Sequence, residues 1–392
     1  MNKKHIFAYL ICICANILLF WPLIPVTPTA FADGGAPDLA YIAGTKSGIS
    51  VIDIQQQKVT RSFALPGDPH SIYLTTDGRF LYVTQPALGQ VTMLSAQNGQ
   101  VNCSTHVPGQ PSLLTFDPYS SMLYTAGNGA SSVTEFDPNT CAIKQTLQTN
   151  GPVYGLAVAT TDSGSTDYQL WVSDSGGLEV FDHNKRVATI SIPGRPQSIC
   201  IPPGASAYVA TQQGNVYAVS LTSYQVSSPL LTGGQFGSMD YDAYTSQVFV
   251  PDKQNKQVDV LTPVTLSNPP IPLPHEPGRV IPTAAAPQSI AITSDGQLGF
   301  IALAGGNVAM LNVPEQTITN TFFVGGSPQF VITGLYPPLL GTTPQQAFAW
   351  NIVINIVAYT VVFALLIIPI VFIIRRTRTP SAQKQREASD AL

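Results

Sequence analysis

Charged side chains are scarce in this chain. Only 10% of its 392 residues are Asp, Glu, Lys or Arg, against about 25% in an average soluble domain. This scarcity argues against a charge-rich disordered chain and a coiled coil, and the lack of basic patches argues against a nucleic-acid-binding protein. The chain has instead 31 glycines and 33 prolines, which are typical of a turn-rich all-β protein.

Residues that commonly carry chemistry are also few. The chain has five histidines and five cysteines, and its histidines are spread along the sequence rather than clustered. We find no paired carboxylates, nucleophile elbow, haem-attachment motif or phosphate-binding loop. We therefore predict no metal site and no cofactor, and the sequence favours a non-enzymatic role.

The N-terminus has the pattern of a secretory signal. Lys3 and Lys4 precede an apolar run, and the segment closes with the small-x-small pattern Ala30-Phe31-Ala32 before Asp33. We predict that residues 1–32 are a signal peptide. A retained N-terminal anchor is the alternative.

A second apolar segment lies near the C-terminus. Residues 350–374 contain no ionisable side chain and are long enough to cross a bilayer as a helix. Arg375, Arg376 and Arg378 follow, so the positive-inside rule places residues 375–392 in the cytoplasm as a basic tail. Residues 336–349 form a Pro/Gly stalk. The sequence predicts a single-pass type I protein of the cell membrane, with residues 33–335 extracellular or periplasmic.

Between these segments an aromatic strand motif recurs seven times. The aromatic residues are spaced 37–51 residues apart, a period that is typical of propeller blades made of four antiparallel strands. The seven aromatic positions are Tyr41, Tyr82, Tyr124, Trp171, Tyr208, Phe249 and Phe300.

The phase of the repeats predicts how the ring closes. The mature chain starts with strands two to four of a blade and ends with an isolated first strand, Gln329–Thr333. We therefore predict a seven-bladed β-propeller over residues 33–335, with its last blade assembled from both ends of the chain. An open β-solenoid is the alternative. The Pro-rich segment Pro263–Pro282 is predicted to project from the blade surface as extended chain.

The repeat resembles a known family. Leu81-Tyr82-Val83-Thr84-Gln85, the preceding Asp77-Gly78-Arg79-Phe80 and Val51-Ile52-Asp53 are similar to the YVTN-type β-propeller repeat. That repeat occurs in microbial surface-layer proteins and in lactonase-like seven-bladed propellers. The resemblance covers residues 38–334 and implies the fold. For function it implies either a surface role or a lactonase-like hydrolase with a His/Arg/Glu cluster in its cleft.

In a propeller the loops that enter the innermost strands converge at one mouth of the central channel. A Gly-x-Pro landmark precedes each predicted innermost strand, so the residues beside it are the candidate ligand-binding residues. They form a mainly neutral, amide-rich ring that suits a polar surface such as a sugar or a peptide backbone. The candidates are Asp68, His70, Tyr154, Arg195, Gln197, Gln288 and Gln329. The alternative is that the glutamines only satisfy loop backbone groups.

These residues support three functional interpretations. The favoured one is a membrane-anchored module that binds a protein or glycan at the cell surface. The second is a hydrolase that would use His70, Arg195 and Asp68, although the landmark residues include no Glu. The third is a purely structural surface-layer component.

Three cysteines fall in the predicted propeller. Cys103 and Cys141 are placed in, or at the start of, outermost strands of adjacent blades, so a disulfide is possible in an oxidising compartment. Two unpaired packed thiols are the alternative. Cys200 is predicted to be a buried small apolar residue of an innermost strand.

Overall fold

The computed structural model describes residues 38–75, 77–160, 168–266 and 272–335. In these residues 28 strands form seven four-stranded antiparallel sheets, which are the blades of a β-propeller. The predicted signal peptide, stalk, membrane helix and cytoplasmic tail lie outside the described residues. Within the described part of the chain, no helix has the length and apolar character needed to cross a membrane.

Each blade is a simple antiparallel meander from its innermost to its outermost strand. The strand bounds, innermost first, are as follows. Blade 1 comprises β4 (Ile72–Leu74), β5 (Phe80–Gln85), β6 (Gln90–Ser95) and β7 (Val101–His106). Blade 2 comprises β8 (Gln110–Asp117), β9 (Met122–Asn128), β10 (Ser132–Phe136) and β11 (Ile143–Gln148). Blade 3 comprises β12 (Val153–Thr160), β13 (Tyr168–Asp174), β14 (Gly177–Asp182) and β15 (Lys185–Ile190).

The remaining blades follow the same order. Blade 4 comprises β16 (Pro196–Cys200), β17 (Ser206–Thr211), β18 (Asn215–Ser220) and β19 (Leu231–Thr232). Blade 5 comprises β20 (Asp240–Tyr241), β21 (Val248–Asp252), β22 (Gln257–Leu261) and β23 (Arg279–Pro282). Blade 6 comprises β24 (Pro287–Ile292), β25 (Leu298–Leu303), β26 (Asn307–Asn312) and β27 (Thr317–Phe323). Blade 7 comprises β28 (Phe330–Leu335), β1 (Asp38–Thr45), β2 (Gly48–Asp53) and β3 (Lys58–Ala64).

The repeated aromatic residue lies in the second strand of every blade and is buried. All seven aromatics are at most 4% exposed, and they pack with aliphatic residues into clusters that fill the space between and within blades. Both faces of a blade are buried against the neighbouring blades, so the two central strands carry apolar side chains on both faces. This explains why the motif is a nearly continuous apolar run rather than an alternating one.

The two ends of the described chain close the ring, as predicted. β28 pairs with β1 in six antiparallel residue pairs, from Asp38↔Leu335 to Ala43↔Phe330. Val331 is 1% exposed and packs against Ala40 and Ile42 of β1 and against Phe300 of blade 6. The closing strand therefore joins two blades as well as completing one.

The antiparallel order decides which loops share a face. Each innermost strand starts at the mouth, so the second strand ends there and the third strand starts there. The mouth is thus built from the loops that enter the innermost strands and from the turns between second and third strands. β1 begins and β28 ends on the opposite face, where Asp38 pairs with Leu335.

Innermost strands of neighbouring blades also hydrogen-bond to each other near the mouth. The Ser198 hydroxyl of blade 4 donates to the Gly237 carbonyl of blade 5 at 3.1 Å, and the Ser238 amide donates to the Gln288 carbonyl of blade 6 at 3.0 Å. The Val331 amide of blade 7 donates to the Ser289 hydroxyl oxygen at 3.1 Å. These contacts tie blades 4 to 7 together around the channel.

The Pro-rich segment is not a simple projecting loop. Arg279–Pro282 is the outermost strand of blade 5, and Val264, Leu266 and Leu273 pack against the core of blade 4. The Tyr208 hydroxyl accepts a hydrogen bond from the Val264 amide at 2.9 Å. For the described parts of the segment the prediction of an extended projection was wrong, because the outermost strand of blade 4 has only two residues and leaves apolar surface that these parts cover. Residues 267–271 lie outside the described residues.

Cys103 and Cys141 are joined by a disulfide. Cys103 lies in β7 and Cys141 precedes β11, with a Cα–Cα distance of 6.4 Å. The bond links the outer edges of blades 1 and 2. Of the two possibilities that the sequence left open, a disulfide or two unpaired thiols, the structure contains the disulfide. Cys200, at the end of β16, is a buried free thiol.

We expect the disulfide to be found directly by peptide mapping of unreduced protein. Trypsin has no site between the two cysteines, so cleavage before Asp117 and Asp137 is needed to separate them. Mass spectrometry should find the two resulting peptides linked, and a maleimide should label Cys200 only after denaturation. The double variant C103S/C141S should lower the free energy of unfolding by up to about 4 kcal/mol, the chain-entropy value for a loop of this length. Labelling of Cys103 in the unreduced protein would contradict the bond.

Candidate functional site

A cleft at the mouth lies where blades 7 and 1 meet. Its volume is about 950 Å³. Three of the candidates from sequence, Asp68, His70 and Gln329, line it together with Lys46 of the β1–β2 turn. Asp68 is exposed and adopts a positive φ of 55°, so its loop makes a tight left-handed bend at the cleft. The other four candidates lie at the mouth on blades 3, 4 and 6.

Tyr154 and Arg195 meet across two neighbouring blades. The Arg195 guanidinium lies over the Tyr154 ring, 5.9 Å from its centroid. The Arg195 amide also donates to Gln213 Oε1 at 2.7 Å, which holds the loop in place. A cation stacked on an aromatic ring is a modest attraction at an exposed site, so this pair shapes the rim.

Two glutamines of the ring hold their own loops with one end of the side chain. Gln197 Nε2 donates to the Pro196 carbonyl at 3.2 Å, and Gln288 Nε2 donates to the Ala286 carbonyl at 3.1 Å. Both residues are half-buried. Neither Oε1 atom has a hydrogen-bond partner within the described residues, so each amide presents a free acceptor.

His70 is mostly buried and one of its ring nitrogens has no partner. Burial, above all, lowers the pKa of His70, and the positive charge of Lys253 lowers it further. A hydrogen bond to the Ser112 backbone opposes this shift, which identifies the imidazole as the donor in that bond. Nδ1 is enclosed by protein without a hydrogen-bond partner among the described residues, so a ligand at the mouth does not reach it in this structure.

Lys253 is a mouth residue that the sequence analysis missed. It lies in the turn between β21 and β22 of blade 5, almost opposite blade 1 in the ring. Asp252 organises this turn because its Oδ1 accepts hydrogen bonds from the amides of Gln235, Gln254 and Asn255 at 3.0–3.2 Å. Attention to the second-to-third-strand turns, which share the mouth face, could have found Lys253 and Lys46.

Asp240, at the start of the short innermost strand β20, was also missed. Its Oδ2 accepts a hydrogen bond from the Ile292 amide of blade 6 at 2.8 Å, so it adds another link between blades. Burial raises the pKa of Asp240 to about 6, and burial likewise raises the pKa of Asp259 in β22 to about 6.

These two carboxyl groups predict a pH dependence of stability. Their folded pKa values lie above the ordinary value of 3.8, so the folded state holds protons that the unfolded state has released between pH 4 and pH 6. We expect the free energy of unfolding to fall as the pH rises through this window, by up to about 3 kcal/mol for Asp240 and by less for Asp259, whose carboxyl group is partly screened by solvent. Melting curves at pH 4, 5, 6 and 7 measure this.

A matched variant assigns the effect. Asn keeps an amide oxygen for the Ile292 amide but does not ionise, so D240N should raise the melting temperature at pH 7 by several degrees and leave it unchanged at pH 4. D295N, at a partly exposed aspartate in the turn between β24 and β25, serves as the control. Equal melting temperatures for wild type and D240N at pH 7 would contradict the prediction.

Comparisons with known proteins identify the fold. No family model matches the chain, and no curated protein sequence matches it, so the resemblance to YVTN-type repeats stays a prediction. A 6-phosphogluconolactonase-like protein from Bacteroides uniformis has a TM-score of 0.61 at 14% identity, over 76% of this chain and 100% of that one. A functionally unknown protein from Desulfotomaculum acetoxidans has a TM-score of 0.58 at 15% identity, over 76% of this chain and 98% of that one. Apo AztD from Citrobacter koseri has a TM-score of 0.55 at 9% identity, over 76% of this chain and 98% of that one. At these identities the likeness extends to the seven-bladed propeller alone.

Proposed function

We propose that this protein is a membrane-anchored binding module whose propeller mouth takes a polar partner, a protein or a glycan, at the cell surface. The observation that carries this proposal is the chemistry of the mouth. Gln197 and Gln288 provide hydrogen-bond acceptors without partners at the mouth, and His70 lines an open cleft of the same mouth. A rigid ring of converging acceptors suits recognition of a ligand that is rich in hydrogen-bond donors.

A double variant tests the mouth as the binding face. Q197A/Q288A removes two free acceptors and should weaken binding at least tenfold in a screen of the full-length protein against envelope glycans and surface proteins. Because both side chains are only half-buried, the melting temperature should change little. Q100A/Q225A, at two exposed glutamines in the third-to-fourth-strand turns on the opposite face, is the control. Equal binding by wild type and Q197A/Q288A would remove the mouth from the proposal.

The anchoring part of the proposal rests on the sequence outside the described residues. Cleavage after Ala32 and a span at residues 350–374 give a type I protein with the propeller outside the cell. Intact-mass measurement of the protein from membranes should find Asp33 as the first residue. Retention of Met1 would replace this topology with an N-terminal anchor.

Lactone hydrolysis is a second candidate function, and His70 is the observation that favours it. His70 lines the cleft, and burial lowers its pKa, so its imidazole is neutral as a general base must be. Turnover of simple lactones that is lost in H70Q and R195Q would support the hydrolase. Absence of both turnover and binding would favour a purely structural surface component.

A further inference from the structure

Lys253 places an uncompensated positive charge inside the mouth's ring of acceptors. Lys253 has no ion pair and no side-chain hydrogen bond among the described residues. The neighbouring Asp252 carboxylate does not pair with Lys253. It accepts hydrogen bonds from backbone amides of its own turn and from Asn255 Nδ2 at 2.7 Å. The ammonium group is thus available to an external anion.

The geometry directs this charge into the channel. A Cβ placed on Gly237 of the innermost segment of blade 5 would lie 3.3 Å from Lys253 Cε, so the lysine stem runs across that glycine. Lys253 also interacts electrostatically with His70, which belongs to blade 1 on the far side of the ring. Two side chains from such distant blades can sense each other only if both reach toward the channel axis.

Burial makes the charge costly without a partner. Desolvation lowers the pKa of Lys253 because water no longer fully solvates the ammonium group. A desolvated cation gains more from a bound anion than an exposed one does, since the cost of its burial has already been met by the fold. The site is therefore preorganised for a negative group.

The remaining groups define the kind of anion. Lys253 contributes a single charge, His70 is neutral when its pKa is lowered, and Arg195 is engaged with Tyr154. Lys46 and Asp68, which have opposite charges, line the cleft between blades 7 and 1 together. The Oε1 atoms of Gln197 and Gln288 add two free acceptors. The complementary ligand has one anionic group and several hydroxyl donors. We infer that the mouth binds an acidic glycan, with the carboxylate of a uronic acid on Lys253 and its hydroxyls on Gln197 and Gln288. This inference rests on the proposed function of the mouth.

Two sugars that differ only in charge test the inference. Tetragalacturonate and its methyl ester share the same hydroxyls, but only the former is charged. Calorimetry with the full-length protein should show at least about tenfold tighter binding of the free acid, the effect of one charge-assisted hydrogen bond. In K253Q the two sugars should bind equally, with the methyl ester unaffected by the substitution. K256Q, an exposed lysine of the same turn, should behave as wild type.

The outcomes separate this inference from the proposed function. Equal binding of both sugars by wild type, or discrimination that survives K253Q, would overturn the acidic-glycan site and leave a neutral binding module. Competition at equal concentration by polyglutamate would instead make the ligand an acidic peptide, and competition by inorganic phosphate would reduce the site to a general anion site. Binding of neither sugar, together with no hit in the wider glycan and protein screen, would overturn the proposed function itself.

Discussion

The variant V331D should lower the melting temperature of the full-length protein by about 10 °C. Val331 lies in the closing strand, is 1% exposed and packs between blades 6 and 7. Aspartate there buries an unpaired carboxylate and removes apolar contacts, which together cost about 4–5 kcal/mol. In a domain of this size each kcal/mol shifts the melting temperature by roughly 2–4 °C.

The control for this prediction places the same charge on the outside. Phe323 lies in β27, the outermost strand of blade 6, and is 75% exposed. F323D should leave the melting temperature within about 2 °C of wild type, as is usual for surface substitutions. If V331D melted like F323D, closure of the ring by β28 would contribute little to stability.

The variant G237A should also be strongly destabilising. A Cβ at position 237 would lie 2.1 Å from the Gln288 carbonyl oxygen, which accepts the hydrogen bond from Ser238 that links blades 5 and 6. Backbone atoms on both sides would have to separate, and overpacking of this kind costs about 1–3 kcal/mol or more. We expect a fall in melting temperature of about 5 °C and, because Lys253 crosses this glycine, weaker binding at the mouth.

G278A is the matched control because neither glycine adopts a positive φ. The nearest atoms to a Cβ at position 278 are 3.5 Å away, which is ordinary van der Waals contact. Alanine there should be neutral or slightly stabilising, since it restricts the unfolded chain. Similar melting temperatures for G237A and G278A would show that the innermost strands can move apart without cost.

The architecture could be predicted from sequence because it depends on short-range pattern. The period of the buried aromatics, from Tyr41 to Phe300, locates the second strand of each blade, and the phase of the chain ends leads to the pairing of β28 with β1. Both follow from burial of local apolar runs, and the structure confirms both. The outer layer was less predictable, as β23 shows, because outermost strands are half-exposed and carry a weaker apolar signal.

The mouth was only partly predictable for a different reason. The landmark prolines locate the loops that enter the innermost strands, so Asp68, His70 and Gln329 were found and lie in one cleft. Lys253 follows the end of a second strand, where the sequence has no landmark. Its approach to His70 depends on the radius of the closed ring, which no local pattern encodes. Asp240 was missed similarly, because its partner Ile292 belongs to another blade.

The pairing of β28 with β1 also determines how the propeller resists a pulling force. A partner held at the mouth and a tether attached after Leu335 would pull on β28 along its own axis. The six residue pairs with β1 would then be loaded together in shear, rather than broken one after another as in peeling. The strand that closes the ring is thus oriented so that tension between a bound partner and the chain end is shared along its full length.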